Sequence, residues 1–455
     1  MDMKARKNLI LTGSMYKVII TLAVPIMLSN LIQTLYNLIN GIWVSKLGST
    51  QFAATSFVWP VMFLFISIGI GLYIAGTSIL SQYVGASNYE KASQYATQLI
   101  AIAVISALCF SVVGYFISPA IIRLMGATGD LAYYSEIFLR VAFLDMPLTF
   151  FYFSFNAIMS SQGNTLTPTI LSSISVVINA VLDPILIFNF NMGVVGAPIA
   201  TIISKALLVS AGIYMLNKSS SRIKPSFKNF KFDREILDKL FKVAMPSAIG
   251  QSGSAVGFII LNGFIVSYGT ATLAAFGMVN RITSLIMQPA MGIGAALTAI
   301  VGQNLGSEQI DRVKEAFTKA IKLTVVFSVV GCILLIWQDK PIIEFFMQTK
   351  DDTEVISQGM TYLTYISFSM PLMGVFSVLQ GVFQGSGHTK YSMSMEIGRL
   401  WFVRLPMILA FKHLTSVGAT GIWFSMSFSN LVICMYGYWI YRKGGWQTKV
   451  IRIKN

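Results

Sequence analysis

The chain has 455 residues, 55% of them hydrophobic and only 11% charged, less than half the charged share of a soluble globular domain, which is about 25%. That balance excludes a soluble enzyme or a nucleic-acid-binding domain and indicates a polytopic membrane protein, although Lys and Arg outnumber Asp and Glu by 33 to 18. The three cysteines, Cys109, Cys332 and Cys434, lie far apart inside apolar runs and form neither a disulfide framework nor a metal set.

From the N-terminus, a short basic lead, Met1 to Gly13, enters a long apolar run with no small-residue cleavage site, so the run is expected to be retained as a first span. Apolar runs long enough to cross a bilayer predict spans at 15–44, 52–83, 93–118, 133–160, 167–188 and 195–216, then at 236–266, 276–304, 314–337, 357–384, 388–411 and 416–441. Numbering the joints alternately, one side collects Lys4, Arg6, Lys7, Lys91, Lys218, Arg222, Lys224, Lys228, Lys231, Arg234, Arg312, Lys314 and Lys390, and then Arg442, Lys443, Lys449, Arg452 and Lys454. The other side holds Lys46, Arg123, Lys340, Lys350 and Lys412, with Asp339, Asp351, Asp352 and Glu354 in its longest loop. By the positive-inside rule both termini and the 217–235 loop are cytoplasmic.

That loop divides two copies of one pattern. Ala23-Val24-Pro25 returns as Ala244-Met245-Pro246, Asn40-Gly41 as Asn262-Gly263, and Gln82…Gly85 as Gln303…Gly306. Met146-Pro147, Gly163, Pro184 and Gly196-Ala197 answer to Met370-Pro371, Gly387, Pro406 and Gly418-Ala419. With six spans each, both copies start on the same side, so the repeat is parallel, as in transporters. The expected fold is an all-α membrane protein of twelve helices in two six-helix bundles: lobes 1–216 and 236–441, a 217–235 linker and a basic 442–455 tail.

Chemistry is expected where the copies differ. Ser172, Ser175, Asn179 and Asp183 recur at steps of three and four in the fifth span, just before Pro184, whereas the second copy has Trp401 and Leu405 opposite Asn179 and Asp183. A carboxylate in hydrocarbon is costly and is seldom kept without a polar cavity or a partner. Asp183 therefore reads either as a proton or cation site or as a structural hydrogen bond between helices. The first span adds Ser29, Gln33, Tyr36, Asn37 and Asn40; Asn156, Thr201 and Ser204 add further donors and acceptors. Tyr36, Phe57, Met62, Phe63 and Phe153 could wall an apolar ligand. Lys205 has two candidate partners, Asp145 and Asp183; Glu396 and Arg399, three apart, are expected to pair; Arg281 reads equally as a latch or a structural pair. The glycines around Gly69-Ile70-Gly71 and Gly292-Ile293-Gly294 lack a strand–turn–helix context and read as close helix packing. No nucleotide motif, HExxH or Cys/His cluster is present, and His388 and His413 lie far apart, so no cofactor, metal or enzymatic chemistry is expected.

In combination, the parallel six-plus-six repeat, Pro25, the Asn179…Asp183-Pro184 run and the Ala275…Arg281 segment resemble the multidrug and toxic compound extrusion (MATE) family, its DinF branch most closely. The resemblance covers essentially the whole chain. It implies two lobes around a V-shaped cavity in a bacterial inner membrane, and export of drugs or toxic organic cations in exchange for protons or sodium, by a monomer among membrane lipids. Carried over, the coupling residues fall on Tyr36, Asn40, Asn156, Asn179, Asp183 and Thr201, with Pro25 as hinge. The substrate wall comprises Gln33, Tyr36, Asn37, Phe57, Met62, Phe63, Phe153 and Asn179. The carboxylates that other branches place in the seventh and tenth spans are missing. The family pattern also leads one to expect aspartate at position 40, and asparagine is a near-isosteric mimic of its protonated form. Asn40 is then either a natural variant relying on Asp183 alone or an engineered lock of the protonated state, the latter being the favoured reading. The alternative function is a flippase for lipid-linked glycans, which needs a cationic central cavity and draws on Lys205, Arg281, Arg399 and Arg404. A channel would need a continuous polar pore, and none is visible.

Overall fold

The computed structural model describes residues 3–218, 223–346 and 353–451. Arg222, Lys350, Asp351, Asp352, Arg452 and Lys454, used above to orient the loops, lie outside them. Apolar composition alone dictates helices here, because backbone groups in hydrocarbon must be satisfied within their own segment. The first lobe comprises α2 (Met15–Ser45), α3 (Ser49–Gly85), α4 (Tyr89–Leu124), α5 (Gly129–Leu144), α6 (Met146–Ser161), α7 (Leu166–Pro184) and α8 (Gly196–Lys218), preceded by α1 (Met3–Thr12). The second comprises α9 (Arg234–Val266), α10 (Thr270–Gly306), α11 (Ile310–Trp337), α12 (Asp339–Phe346), α13 (Thr353–Gly385), α14 (Thr389–Ile397), α15 (Leu405–Leu414) and α16 (Thr420–Lys443).

Among the described residues nine helices are long and apolar enough to cross a membrane, and α5 with α6 makes a tenth, bent by 43° at Asp145. The predicted eleventh span is α14 and α15 joined by a π-helical turn, Gly398–Arg404, where two arginines interrupt the apolar run; α16 is the twelfth. The predicted fifth span likewise ends in a π-helical turn, Ile185–Asn189, immediately after Pro184. Two short helices were not foreseen. The basic lead forms α1, whose terminal carbonyls at Ile10 and Gly13 are capped by the Arg312 guanidinium at 3.0 and 2.9 Å; α12 occupies the joint before α13.

The two copies meet about an internal two-fold that their matching residues draw out. A β-carbon added to Gly85 would strike the Gln303 carbonyl, and one added to Gly306 the Gln82 carbonyl, so α3 and α10 cross in backbone contact. Gln82 Nε2 then donates to the Ser386 carbonyl at 3.1 Å, and Gln303 Nε2 to the Ser161 carbonyl at 2.7 Å. The starts of the first and seventh spans are exchanged between lobes. Met15, Val18, Ile19 and Leu22 of α2 join a core with α10, α11, α13 and α16. Ile236, Leu240 and Val243 of α9 join the core of α3 to α6.

The 223–233 stretch lies along α4: Gln98 Nε2 donates to the Lys231 carbonyl at 2.7 Å, and Thr97 Oγ1 accepts from the Ser226 amide at 3.0 Å. The basic tail crosses the junction between copies. Trp446 is buried, the Val450 amide donates to Gln82 Oε1 at 3.0 Å, and Lys449 pairs with Glu308.

Candidate functional site

The site begins with the same local device in both copies. Pro25 has no N–H, which leaves the Thr21 carbonyl without its helical donor and gives α2 a point of weakness. Thr165, at the start of α7, donates to the Leu22 carbonyl at 3.0 Å, and Thr169 donates to the Pro25 carbonyl at 2.9 Å. In the second copy Thr389 donates to the Val243 carbonyl, three residues before Pro246, at 2.7 Å. The fifth span of each copy is thus lashed to the first beside its proline. Only the first copy has the second threonine.

Beyond the lash, the polar faces of α2 and α7 converge. Asp183 is fully buried. Its Oδ2 accepts from Asn40 Nδ2 at 2.9 Å, while its Oδ1 has no partner. The same Asn40 nitrogen also approaches the Tyr36 hydroxyl at 3.2 Å. Asn179 Nδ2 donates to Thr201 Oγ1 and Ser204 Oγ, both at 3.1 Å, and its Oδ1 is buried and unpartnered. Buried polar atoms normally find partners, so two open acceptors one helical turn apart are the chemical signature of this site.

Next to the acid lies a cavity of about 400 Å³ whose wall includes Gln33, Tyr36, Trp59, Tyr152, Phe153, Asn179, Thr201 and Lys205. Phe153 lies against Gly69, where only a hydrogen leaves room for the ring. Lys205 is taken up by Asp145 at 2.5 Å and Thr149 at 2.7 Å. Its choice of Asp145 over Asp183 leaves Asp183 without a cationic partner.

Of the sequence-predicted residues, Tyr36, Asn40, Asn179, Asp183 and Thr201 come together, and Gln33 and Phe153 join the cavity wall. Asn156 instead accepts from Ser160, one turn on along α6, at 3.0 Å. Asn37 is exposed and accepts from Gln33 at 3.3 Å. Phe57 and Met62 pack against the first-lobe core and Phe63 against Trp59, so these do not line the cavity. Sequence reasoning missed Trp59, Tyr152 and Thr149. The available signal was helical spacing: Tyr152 and Thr149 stand one and two turns before Asn156 on α6. The expected Glu396–Arg399 pair does not form within ion-pair distance. Glu396 turns toward α9 and accepts from Gln251 at 3.3 Å, and Arg399 lies over the Phe376 ring. Arg281 is exposed and makes no ion pair among the described residues.

The MatE family model matches residues 25–185 and 246–409, well over half of the chain. The two segments open on Pro25 and Pro246, the paired prolines of the repeat. The probable multidrug resistance protein YoeA of Bacillus subtilis is 27% identical over 426 residues, covering 91% of each chain. A protein of Shewanella oneidensis named FAD transporter is 22% identical over 442 residues, 96% of each chain. A crystal structure of MATE in complex with MaL6 superposes with a TM-score of 0.91 at 26% identity, covering 96% of this chain and 97% of that one. With both copies of the repeat matched and the two-lobed architecture shared from end to end, the chain belongs to the MatE family of membrane transporters and is not an enzyme.

Proposed function

We propose that the chain is a secondary active exporter of cationic or amphipathic compounds, driven by inward movement of protons or sodium through the first lobe. Its termini and linker are cytoplasmic and its lobes divide at 217–235. One observation carries the reading: Asp183 is fully buried with one oxygen bonded to Asn40 and the other open, beside an aromatic-walled cavity. An unmet buried acceptor costs about 1–3 kcal/mol, which a bound proton or cation at this oxygen would relieve, and no lysine or arginine among the described residues pairs with Asp183 as Lys205 does with Asp145. An open oxygen on a buried carboxylate is where a proton or a monovalent cation would be held.

Loading that oxygen removes or neutralises the charge at which the Asn40 amide points. This weakens the bond between the far part of α2 and the end of α7 and frees α2 to bend at Pro25, narrowing the cavity. Each proton entering down 100 mV supplies about 2.3 kcal/mol for that cycle. The flippase alternative asks for a cationic central cavity, whereas the lysine on this wall is neutralised by Asp145.

The test is efflux of the dye ethidium from proteoliposomes under an imposed pH gradient and, separately, a sodium gradient, with the chain as it stands, Asp183→Asn and Asn40→Asp. The expected result is gradient-driven efflux that Asp183→Asn abolishes and Asn40→Asp raises under one gradient. Efflux undiminished in folded Asp183→Asn would overturn the coupling site.

A further inference from the structure

The second lobe holds a separate cavity, walled by two arginines. It measures about 430 Å³ and is lined by Phe258, Asn280, Thr283, Met287, Arg399 and Arg404 among others, with no acidic residue in its wall. Both arginines come from the π-helical turn Gly398–Arg404. A π-helical turn is wider than an α-helical one, which brings residues five apart closer to a common face, and both guanidinium groups reach one cavity.

Both are deeply buried, Arg399 at 8% exposure and Arg404 at 3%. Arg404 is held rigidly by neutral acceptors, Nε on Ser429 Oγ at 3.0 Å and an Nη on Asn430 Oδ1 at 3.1 Å and the Met426 carbonyl at 3.4 Å. Arg399 is under-satisfied. One Nη meets the Met373 sulfur at 3.2 Å, the group sits 4.5 Å from the Phe376 ring centroid, and its Nε is buried without a partner. No carboxylate lies within ion-pair distance of either among the described residues. Glu396, one turn earlier, faces Gly250 and Gln251 on α9 rather than the cavity. Two buried, unpaired cations are expensive unless an anion completes the site, and a guanidinium with a free N–H edge is shaped for an oxyanion. The remaining wall combines four methionines and two phenylalanines with asparagine and hydroxyl side chains, suited to an amphipathic body.

We propose that this second-lobe cavity binds the oxyanion head of an amphipathic compound, a carboxylate, sulfonate or phosphate on an apolar body, with Arg399 and Arg404 as its anion clamp. The site is independent of Asp183. The chain therefore carries two pockets, one beside the buried Asp183 in the first lobe and one walled by two arginines in the second, and its ligands extend beyond organic cations.

The test uses two probes that share a fluorophore, dansylglycine with a carboxylate and dansylcadaverine with an amine, bound to the purified full chain in nanodiscs. Dansylglycine is expected to bind, to be displaced by decanoate but not by decylamine, and to lose about tenfold or more in affinity in Arg399→Gln, the loss of a charge-assisted contact. Arg399→Lys should recover part of that loss. A plug at the cavity mouth, Ser284→Trp, supplies an independent variant that leaves both arginines in place and should block dansylglycine. Displacement by decylamine as readily as by decanoate, or unchanged dansylglycine affinity in folded Arg399→Gln or Ser284→Trp, would overturn the proposal.

Discussion

Asn40 Nδ2 lies 2.9 Å from Asp183 Oδ2, and this bond joins two helices whose other ends are lashed together at Pro25 by Thr169. The α2–α7 pair is therefore closed at both ends, with the proline at one of its two fastenings. Removing the amide leaves the carboxylate of Asp183 without a donor. Asn40→Ala is expected to destabilise the fold by about 1–3 kcal/mol, and Asp183→Asn in the same background should recover part of that loss. A thermal-unfolding double-mutant cycle checks it; additive losses would mean that the two residues are not coupled.

Asp145 and Lys205 form a half-buried charge pair of the first lobe, at 2.5 Å, with Thr149 bonded to both. Breaking one side leaves a lone charge. Lys205→Met alone should cost about 1–3 kcal/mol, the penalty of leaving Asp145 without its donor, whereas the Asp145→Asn, Lys205→Met double variant should be milder. Denaturation midpoints of the three variants would decide this, and a mild single variant would refute it.

Gly85 and Gly306 each press on the opposite copy's glutamine carbonyl. Gly85→Ala and Gly306→Ala should destabilise by similar amounts, about 1–3 kcal/mol or more, since a methyl has nowhere to go without moving backbone. Gly263→Ala, with nothing within 4 Å of its added methyl, is the neutral control. Size-exclusion profiles after graded heating compare the three.

The tail carries a pH dependence. Burial holds the His388 imidazole below its ordinary range, and its neutral ring meets Thr448 at 3.0 Å and Ser386 at 3.3 Å. A histidine depressed in the fold favours the folded arrangement above its unfolded value, about 6.5, and that contribution is lost as pH falls below it. The second anchor behaves differently: its hydrogen bond to Lys449 holds Glu308 below its ordinary range, so that pair persists to lower pH. Hydrogen-exchange protection across 444–451, each rate taken relative to the intrinsic amide rate at its pH, should fall from pH 7.5 to 5.5, with His388→Gln removing that change. Equal protection at both values would contradict a role for His388 in holding the tail.

Much of this protein was legible in its residues. Hydropathy put each predicted span on a helix or helix pair, with ends off by up to six residues, and ten of them, among the described residues, are long and apolar enough to cross a membrane. The repeat paired Gln82…Gly85 with Gln303…Gly306, and the structure shows that these copies cross there, where a close backbone approach tolerates only glycine. Helical spacing put Tyr36 with Asn40, and Asn179 with Asp183, on single faces.

What spacing could not decide was which faces meet. Lys205 had two acids within reach in the sequence and took Asp145; Glu396 turned from Arg399 to Gln251; Phe57 and Met62 went to the core while Trp59 and Tyr152 went to the cavity. These outcomes depend on helix rotation and crossing, set by packing across 143 residues or more in the Asn40–Asp183 and Gln251–Glu396 contacts. The π-helical turn that brings Arg399 and Arg404 to one cavity carries no periodicity signal, since it departs from the 3.6-residue repeat by which a helix is read. The sequence by itself determined a twelve-span duplicated transporter with an acid in one half. Only the tertiary structure decided that the acid keeps one oxygen free and that two cations of the other half share a pocket, because partners for buried charge are chosen in space and not along the chain.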